Sequence, residues 1–155
     1  FHVVLEDVMP ANRRRARADL VDLQAGPAKG RLDLVSTVED AVRESDIAVD
    51  FVPDELESKL EIFSMIDRMA PPKTILCTPS DALSITDLAS CVYRPERCVA
   101  VRGELASGAA VRLLYPAAVE ERVLGAVSGF LRSLGIEAQT EFDPDVPMLV
   151  KNAVR

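Results

Sequence analysis

The sequence predicts an α/β domain with a mainly parallel sheet and helices on both faces. Apolar strand-like runs alternate with helical patterns along the chain, which is typical of parallel strands joined by crossover helices. The run at residues 47–52 has one strongly polar member, Asp50, as expected of a strand covered on both sides. The 155 residues are enough for one core.

Six strand-like runs are expected. They are rich in Val, Ile, Leu and Cys and are bounded by turn residues or charges. They lie at residues 1–5, 47–52, 74–77, 98–101, 111–115 and 136–139. The first run opens the chain without an initiator Met, so we expect the sequence to begin inside a fold.

Two helices are predicted before residue 45. Pro10 suits the start of the first, because its missing N–H would have no helical partner there, and the pattern continues to residue 23. Ser36 or Thr37 can cap a second, short helix that reaches about residue 44.

Two further helices are predicted from apolar residues spaced three and four apart, which lie on one helix face. The stripe at residues 55–69 ends at Pro71, which stops a helix. The second stripe ends at Gly135, a residue that favours the left-handed conformation of helix ends. The stripes comprise Leu56, Leu60, Phe63, Ile66 and Met69, and Val123, Val127, Phe130, Leu131 and Leu134.

Composition excludes several classes of protein. The chain carries 18 Lys and Arg against 25 Asp and Glu, a net charge of −7 that repels nucleic acid. No apolar run reaches the ~20 residues of a membrane span and no leader pattern appears, so we expect a cytoplasmic protein without a membrane partner. Cys77, Cys91 and Cys98 form no C-x-x-C pair, and His2 is the only histidine, so we expect reduced core thiols and no metal site.

Two acidic positions at strand ends are candidates for ligand binding. In open parallel sheets, ligands lie beyond the carboxyl ends of the strands. Asp7 follows the first strand-like run of the chain. A carboxylate that closes the second strand of a nucleotide-binding α/β unit can accept hydrogen bonds from both ribose hydroxyls of an adenosine and thereby select NAD over NADP, and Asp7 fits that place. The alternative is a solvated strand end or a helix cap. Pro53–Glu55 lies at the end of the next strand-like run, with Asp54 among its residues.

Charges near these positions also have structural interpretations. Asp54, Glu55 and Glu57 suit the first turn of a helix, whose dipole favours negative charge. Lys59 lies four residues after Glu55 and can pair with it on the helix surface. A basic group in the first helix is expected to form a solvated face rather than a phosphate site. It comprises Arg13, Arg14, Arg15 and Arg17.

Four ordered segments resemble the NAD-binding domain of 3-hydroxyacyl-CoA dehydrogenases. They are D-I-A-V-D-F-V-P-D-E-L from residue 46, T-I-L-C-T from 74, L-S-I-T-D-L-A from 83 and R-P-E-R from 94. The family writes them as D-L-V-V-E-A-x-x-E-x-x-x-x-K, T-I-x-A-S-N-T-S-S-L-x-I-T and R-P-x-R. Asp145-Val146-Pro147 followed by Asn152 is similar to its D-x-P-G-F-I-x-N-R entry to the C-terminal domain.

The resemblance implies a Rossmann-like fold that binds NAD. Asp7 falls on the family's ribose-binding carboxylate and Asp54 on an acidic residue near the nicotinamide ribose. Lys59 matches a lysine of the same pocket, with Val52 and Pro53 beside it. The implied reaction is NAD-dependent oxidation of an L-3-hydroxyacyl-CoA to the 3-ketoacyl form, in fatty acid metabolism.

The resemblance fails at the catalytic positions. The family keeps a His in an H-F-F-N-P stretch, oriented by a Glu about a dozen residues later. Here Arg102 replaces the His, Leu105 the Asn, and Leu114 falls about where the Glu belongs. A guanidinium cannot act as a base, so the family's pair cannot operate here as written.

Two other side chains are weak candidates for catalysis, and the catalytic residues stay unassigned. Glu104 lies two residues after Arg102 and is a candidate for the base, although we expect it to form an ion pair with Arg102. Ser80 can donate to a carbonyl, although a Ser after a Pro more often caps a turn. The S-N-T-S stretch of the family has become Thr78-Pro79-Ser80-Asp81.

We expect residues 1–146 to form the NAD(P)-binding domain, without its first strand and Gly-rich turn, and residues 147–155 to begin the connection to a helical C-terminal domain. The family's hairpin after the first helix is shortened to residues 24–31, which weakens the case for a CoA thioester.

Three hypotheses follow: a dehydrogenase with weak or altered activity, a non-catalytic dinucleotide-binding or scaffold domain, and another hydroxyacid dehydrogenase with its base on the C-terminal domain. Candidate partners besides the dinucleotide are an acyl-CoA and a second copy of the chain.

Overall fold

The computed structural model describes residues 1–23 and 30–145. The chain divides into two compact units. The first is Phe1–Ser45 with Met69–Pro71, and the second is Asp46–Arg68 with the residues from Pro72 onward. The expectations for residues 24–29 and 147–155 lie outside the described part of the chain.

The described residues of the first unit form two parallel strands and two helices. Its elements are β1 (His2–Glu6), α1 (Pro10–Leu23), β2 (Arg31–Val35) and α2 (Val38–Val42). The strands pair in register from His2 opposite Arg31 to Glu6 opposite Val35. The hydroxyl of Thr37 caps α2 by accepting from the amide of Asp40. The helix starting at Pro10 is confirmed.

The second unit contains a five-stranded sheet in the order β3-β4-β5-β6-β7. Its strands and helices in chain order are β3 (Ile47–Val49), α3 (Leu56–Met69), β4 (Ile75–Pro79), α4 (Ile85–Ala89), β5 (Cys98–Arg102), β6 (Ala110–Tyr115), α5 (Glu121–Ser133) and β7 (Glu137–Phe142). The β5–β6 pair is antiparallel and the other pairs are parallel. The predicted α/β class with a mainly parallel sheet is therefore confirmed.

Alternating strand residues of this sheet pack against different layers. One face carries Cys77, Val99, Val101, Val111 and Leu113, which form a buried cluster with Val123, Val127 and Leu131 of α5. The alternate strand positions, including Leu76, Ala100 and Leu114, are also buried, as are Ile85 and Leu88 of α4. Full burial of such side chains stabilises a fold by about 1.5–3 kcal/mol each. We call the side of the sheet opposite α5 the α4 face.

Several boundaries differ from those predicted. β3 ends at Val49 rather than at residue 52. In the loop before α3, the Glu55 amide donates to the Pro53 carbonyl. The strand β2 and the short helix α4, capped by Ser84, were not predicted. The signal for β2 was the alternation of Leu32 and Leu34 with charged residues.

The cysteines are reduced, but they are not all core residues. Cys77 and Cys98 are buried and free, whereas Cys91 is free and exposed, so the expectation of three core thiols was wrong for Cys91. Burial raises the pKa of the Cys77 thiol to about 12, an effect that Asp50 increases. Across residues 1–23 and 30–145, no helix combines the length and apolar character that crossing a membrane requires.

Candidate functional site

In the second unit, polar side chains lie at the carboxyl ends of three strands, and the end before Pro53–Glu55 is the one that was expected to carry a ligand. Asp50 directly follows β3, Ser80 directly follows β4, and Arg102 is the last residue of β5. These three strands are mutually parallel, so their carboxyl ends lie at one edge of the sheet. This is the edge at which open parallel sheets bind ligands.

Lys59 forms a buried ion pair with Asp50, rather than the surface pair with Glu55 that the spacing predicted. Its Nζ lies 2.7 Å from Asp50 Oδ1, and each side chain is only 1% exposed. The same Nζ donates to the Pro79 carbonyl at 3.0 Å. Position 59 lies four residues before the fully buried Phe63, so it belongs to the packed face of α3. Asp50, the one strongly polar residue of its run, was the sequence signal for this partner.

Two buried oxygens at this ion pair, one from the pair itself and one from β4, have no hydrogen-bond partner in the described part of the chain. They are Asp50 Oδ2 and Thr78 Oγ1. Val49 lies opposite Cys77 in the β3–β4 register, so Asp50 and Thr78 occupy adjacent positions of the two strands. Since Val49 and Cys77 pack on the α5 side, Asp50 and Thr78 point towards the α4 face.

Asp54 is held by the loop after β4. Its Oδ2 accepts from the Asp81 amide at 2.9 Å, and it is also hydrogen-bonded to the Ser80 side chain. Burial works to raise the pKa of Asp54, but the bonds from Ser80, Asp81 and Ala82 and the Lys59 charge outweigh it and lower the pKa. Asp54 is therefore a carboxylate at neutral pH, close to the solvent-exposed Pro53 and the half-buried Val52.

Ser80 closes the turn after β4, as the structural interpretation of this residue expected. Its hydroxyl accepts from the amide of Leu83 at 3.0 Å, and its own amide donates to the Val101 carbonyl at 3.0 Å. The residue is 4% exposed. These contacts fix the loop between the ends of β4 and β5.

Arg102 does not pair with Glu104, so the expected ion pair was wrong. Its Nε donates to the Ser80 carbonyl at 3.3 Å and its Nη2 to the Leu83 carbonyl at 3.1 Å. Gly103 between the two residues has a φ of 119°, which breaks the strand alternation and leaves Glu104 exposed.

Arg102 and the buried Leu114 line one cavity of about 360 Å³ on the α4 face. The positions that the sequence resemblance assigned to the family's His and Glu therefore meet at one site, although both side chains differ. Ala82, Ser84, Glu141 and Asp143 contribute to the same cavity.

Asp143 is a site residue that sequence reasoning missed. Its Oδ2 accepts from the Ser84 hydroxyl at 2.8 Å and from the Thr86 amide at 2.9 Å. Burial opposes ionisation, but these bonds and that from the Asp145 amide lower the pKa of Asp143. Its position beyond β7 gave no signal in the sequence, because only the fold brings it to α4.

Asp7 belongs to the first unit and is anchored by its own turn. Oδ1 accepts from the Met9 amide at 2.7 Å and Oδ2 from Asn12 at 2.8 Å, while Arg13 donates to the Asp7 carbonyl. The bond from Met9 and then that from Asn12 lower the pKa of Asp7. An ionised carboxylate has about four lone-pair sites, so both oxygens can still accept ribose hydroxyls. Arg14, Arg15 and Arg17 are exposed, as expected of a solvated face, but the expectation was wrong for Arg13, which is half-buried against the Asp7 carbonyl.

Metal binding has no support at these positions. In residues 1–23 and 30–145, no group of three or more His, Cys, Asp or Glu side chains is arranged to hold an ion.

A mainly parallel sheet whose strands are joined by helices is typical of a Rossmann-type α/β fold, and solved structures agree. The (S)-3-hydroxybutyryl-CoA dehydrogenase of Ralstonia eutropha superposes with a TM-score of 0.80 at 18% identity, over 92% of this chain and 56% of its own. The 3-hydroxyacyl-CoA dehydrogenase of Archaeoglobus fulgidus gives a TM-score of 0.77 at 22% identity, over 99% of this chain and 52% of its own.

Sequence comparison identifies the family. The profile described as "3-hydroxyacyl-CoA dehydrogenase, NAD binding domain" matches residues 4–102. The chain therefore belongs to the 3-hydroxyacyl-CoA dehydrogenase family, in its NAD-binding domain, and the cofactor of this family is NAD, as predicted.

Two curated relatives show how much of a longer protein is matched. A probable 3-hydroxybutyryl-CoA dehydrogenase of Bacillus subtilis is 32% identical over 112 residues, which cover 64% of this chain and 39% of the relative. An L-carnitine dehydrogenase of a Pseudomonas species is 34% identical over 77 residues, 50% of this chain and 24% of the relative. The chain thus spans less than two thirds of the length of these relatives.

Proposed function

We propose that this chain is the nucleotide-binding domain of an NAD-dependent dehydrogenase whose activity towards L-3-hydroxyacyl-CoA is weak or altered. The observation that carries the proposal is Arg102 in the cavity beside Leu114. Oxidation of a hydroxyl group needs a base for the proton while hydride leaves. A guanidinium stays protonated at any working pH and cannot accept that proton.

The strand-end carboxylates support NAD binding in this proposal. Asp7 is ionised and keeps acceptor positions for the adenosine ribose. Asp54 is ionised and exposed, which suits a contact with the second ribose. Bound NAD supplies the hydride acceptor of the reaction.

Lys59 has a structural role in this proposal, whereas the half-buried Val52 contributes to the cofactor site. Because Lys59 Nζ is already bound to Asp50 and to the Pro79 carbonyl, we assign it to holding the loop after β4. Val52 and Pro53 form the wall of the cofactor site next to Asp54.

The first test is titration of the full-length protein with NAD, followed by an acetoacetyl-CoA reduction assay. We expect saturable NAD binding and slow turnover. NAD binding with no turnover of any hydroxy substrate would favour a non-catalytic dinucleotide-binding domain. Turnover at a rate ordinary for an enzyme, about 10 s⁻¹, would contradict our interpretation of Arg102.

The second test restores the family's pair with Arg102→His and Leu114→Glu together. General acid–base catalysis contributes about 10²–10⁴-fold, so acetoacetyl-CoA reduction is expected to rise at least tenfold while NAD affinity stays unchanged. Arg132→His, on the exposed side of α5, is the matched control and should change neither quantity. Equal rates in the double variant and the control would count against the assignment of the cavity.

A second candidate is a dehydrogenase for another hydroxy acid, with its base outside the described residues. It is favoured by the similarity to L-carnitine dehydrogenases, because carnitine is a free 3-hydroxy acid. We further propose that the protein is cytoplasmic and contributes to fatty acid metabolism.

A further inference from the structure

We propose that Arg102 binds a substrate carboxylate in the cavity on the α4 face, so that the substrate is a free hydroxy acid rather than a thioester. The inference rests on the proposed function, because it names the substrate class of the same site. In this inference Arg102, which cannot act as a base, instead binds the negative charge of the substrate.

The hydrogen bonds of Arg102 leave a suitable edge of the guanidinium for a ligand. Arginine has five N–H donors, and the carbonyls of Ser80 and Leu83 take one from Nε and one from Nη2. The remaining donors include a parallel pair on Nη1 and Nη2. Such a pair matches the two oxygens of a carboxylate, and two carbonyls already fix the guanidinium in place.

A second cation lies beside Arg102 in the sheet. Arg102 lies directly opposite Arg112 in the antiparallel β5–β6 pair, and like charges at such positions destabilise a sheet. Glu141 pairs with Arg112 at 3.2 Å, but among residues 1–23 and 30–145 no carboxylate forms an ion pair with Arg102. A bound carboxylate would supply the missing negative charge.

The acidic residues that line the cavity are engaged elsewhere. Glu141 is bound to Arg112. Asp143 accepts bonds from Ser84 and Thr86 on one oxygen and from the Asp145 amide on the other, and Asp145 also lines the cavity. Their presence predicts selectivity for a small monoanion over a dianion, because each added negative charge would face them.

The volume and the apolar part of the lining suit a small acid. About 360 Å³ is at the lower end of the volumes of ligand sites. Ala82 and Leu114 supply carbon surface for a short chain. A thioester, which is neutral, would leave the remaining donors of the guanidinium without an anionic partner.

The experiment measures binding of 3-hydroxybutyrate and of its neutral amide, 3-hydroxybutyramide, to the full-length protein saturated with NADH, which prevents turnover. The wild-type protein is expected to bind the acid at least tenfold more tightly than the amide. Arg102→Met should weaken binding of the acid by about 10- to 100-fold and leave the amide unaffected. Arg102→Lys should recover part of the affinity, because a charge without the bidentate edge remains.

The controls separate this inference from the proposed function. NADH titration without the acid or the amide tests nucleotide binding. Thermal melting of each Arg102 variant shows whether it is folded. Arg132→Met removes an exposed charge from α5 and should leave both affinities unchanged. If NADH binds but acid and amide bind equally, or if Arg102→Lys and Arg102→Met both match the wild type, the inference is wrong and the proposed function stands.

Discussion

At the scale of single residues, a buried ion pair lies where β3 ends beside β4. Asp50 and Lys59 are oppositely charged, almost fully excluded from solvent and 2.7 Å apart. Removing one member of such a pair leaves an uncompensated buried charge, whereas replacing both with apolar residues is often neutral. The sequence indicated Asp50 as an unusual residue of its strand but could not identify its partner, because Lys59 lies on another element.

We expect Lys59→Met to lower the free energy of unfolding by about 3–5 kcal/mol. The reason is that the Asp50 carboxylate and the Pro79 carbonyl would both lose their donor. Urea denaturation of the full-length protein measures this change. Asp50→Leu combined with Lys59→Met should recover most of the loss, and Glu61→Ala, on the exposed side of α3, should stay within about 0.5 kcal/mol of wild type. A single variant as stable as the wild type would contradict the desolvation argument.

Elements were predictable where periodicity and stop signals agree. α1, α3 and α5 were all expected from Pro10, from the apolar stripes and from Gly135, and the structure confirms them. The short elements β2 and α4 were missed because five residues carry little periodicity. The resemblance implied that positions 102 and 114 meet, because the family's Glu orients its His, and the antiparallel β5–β6 register brings them together. The part of the cavity that Asp143 forms was not predictable, because only the fold brings this residue to α4.

Two glycines of α5 and its end give opposite predictions. Gly135 has a φ of 77°, and an added Cβ would lie 2.7 Å from Ser107 Oγ. Gly135→Ala is therefore expected to destabilise the protein by about 1–2 kcal/mol. Gly129 is within α5 with nothing within 4 Å of an added Cβ, so Gly129→Ala should stabilise by about 0.5–1 kcal/mol. Thermal unfolding of both variants tests the pair, and equal shifts of one sign would refute the conformational explanation.

At the scale of the whole molecule, carboxylates whose pKa is lowered contribute to the response to acid. The folded-state pKa of Asp143 lies below the ordinary value of 3.8. This group therefore contributes stability above pH 3.8, and the contribution is lost as the pH falls through the folded-state pKa. The same sign applies to Asp54.

We expect Asp143→Asn to make unfolding less dependent on pH in the acid range. The amide cannot ionise, so the variant lacks the stability that the carboxylate gains above pH 3.8. Denaturation midpoints between about pH 2 and pH 6, which bracket the ordinary Asp pKa, measure the effect. Asp19→Asn is the control because Asp19 is exposed on α1. Parallel pH profiles for Asp143→Asn and the wild type would show that this carboxylate does not couple protonation to folding.

The burial of the Asp50–Lys59 pair also determines how the molecule responds to dissolved salt. Mobile ions screen charges that water can reach, over about 8–10 Å at ordinary ionic strength, and they act far less on charges inside the protein. Pairs at the surface, such as Arg43 with Asp40, will weaken as sodium chloride is added. The attraction between Asp50 and Lys59 will persist at the same salt concentration, because both side chains are buried. The ion pair at the end of β3 therefore keeps its strength when the surface pairs have lost most of theirs.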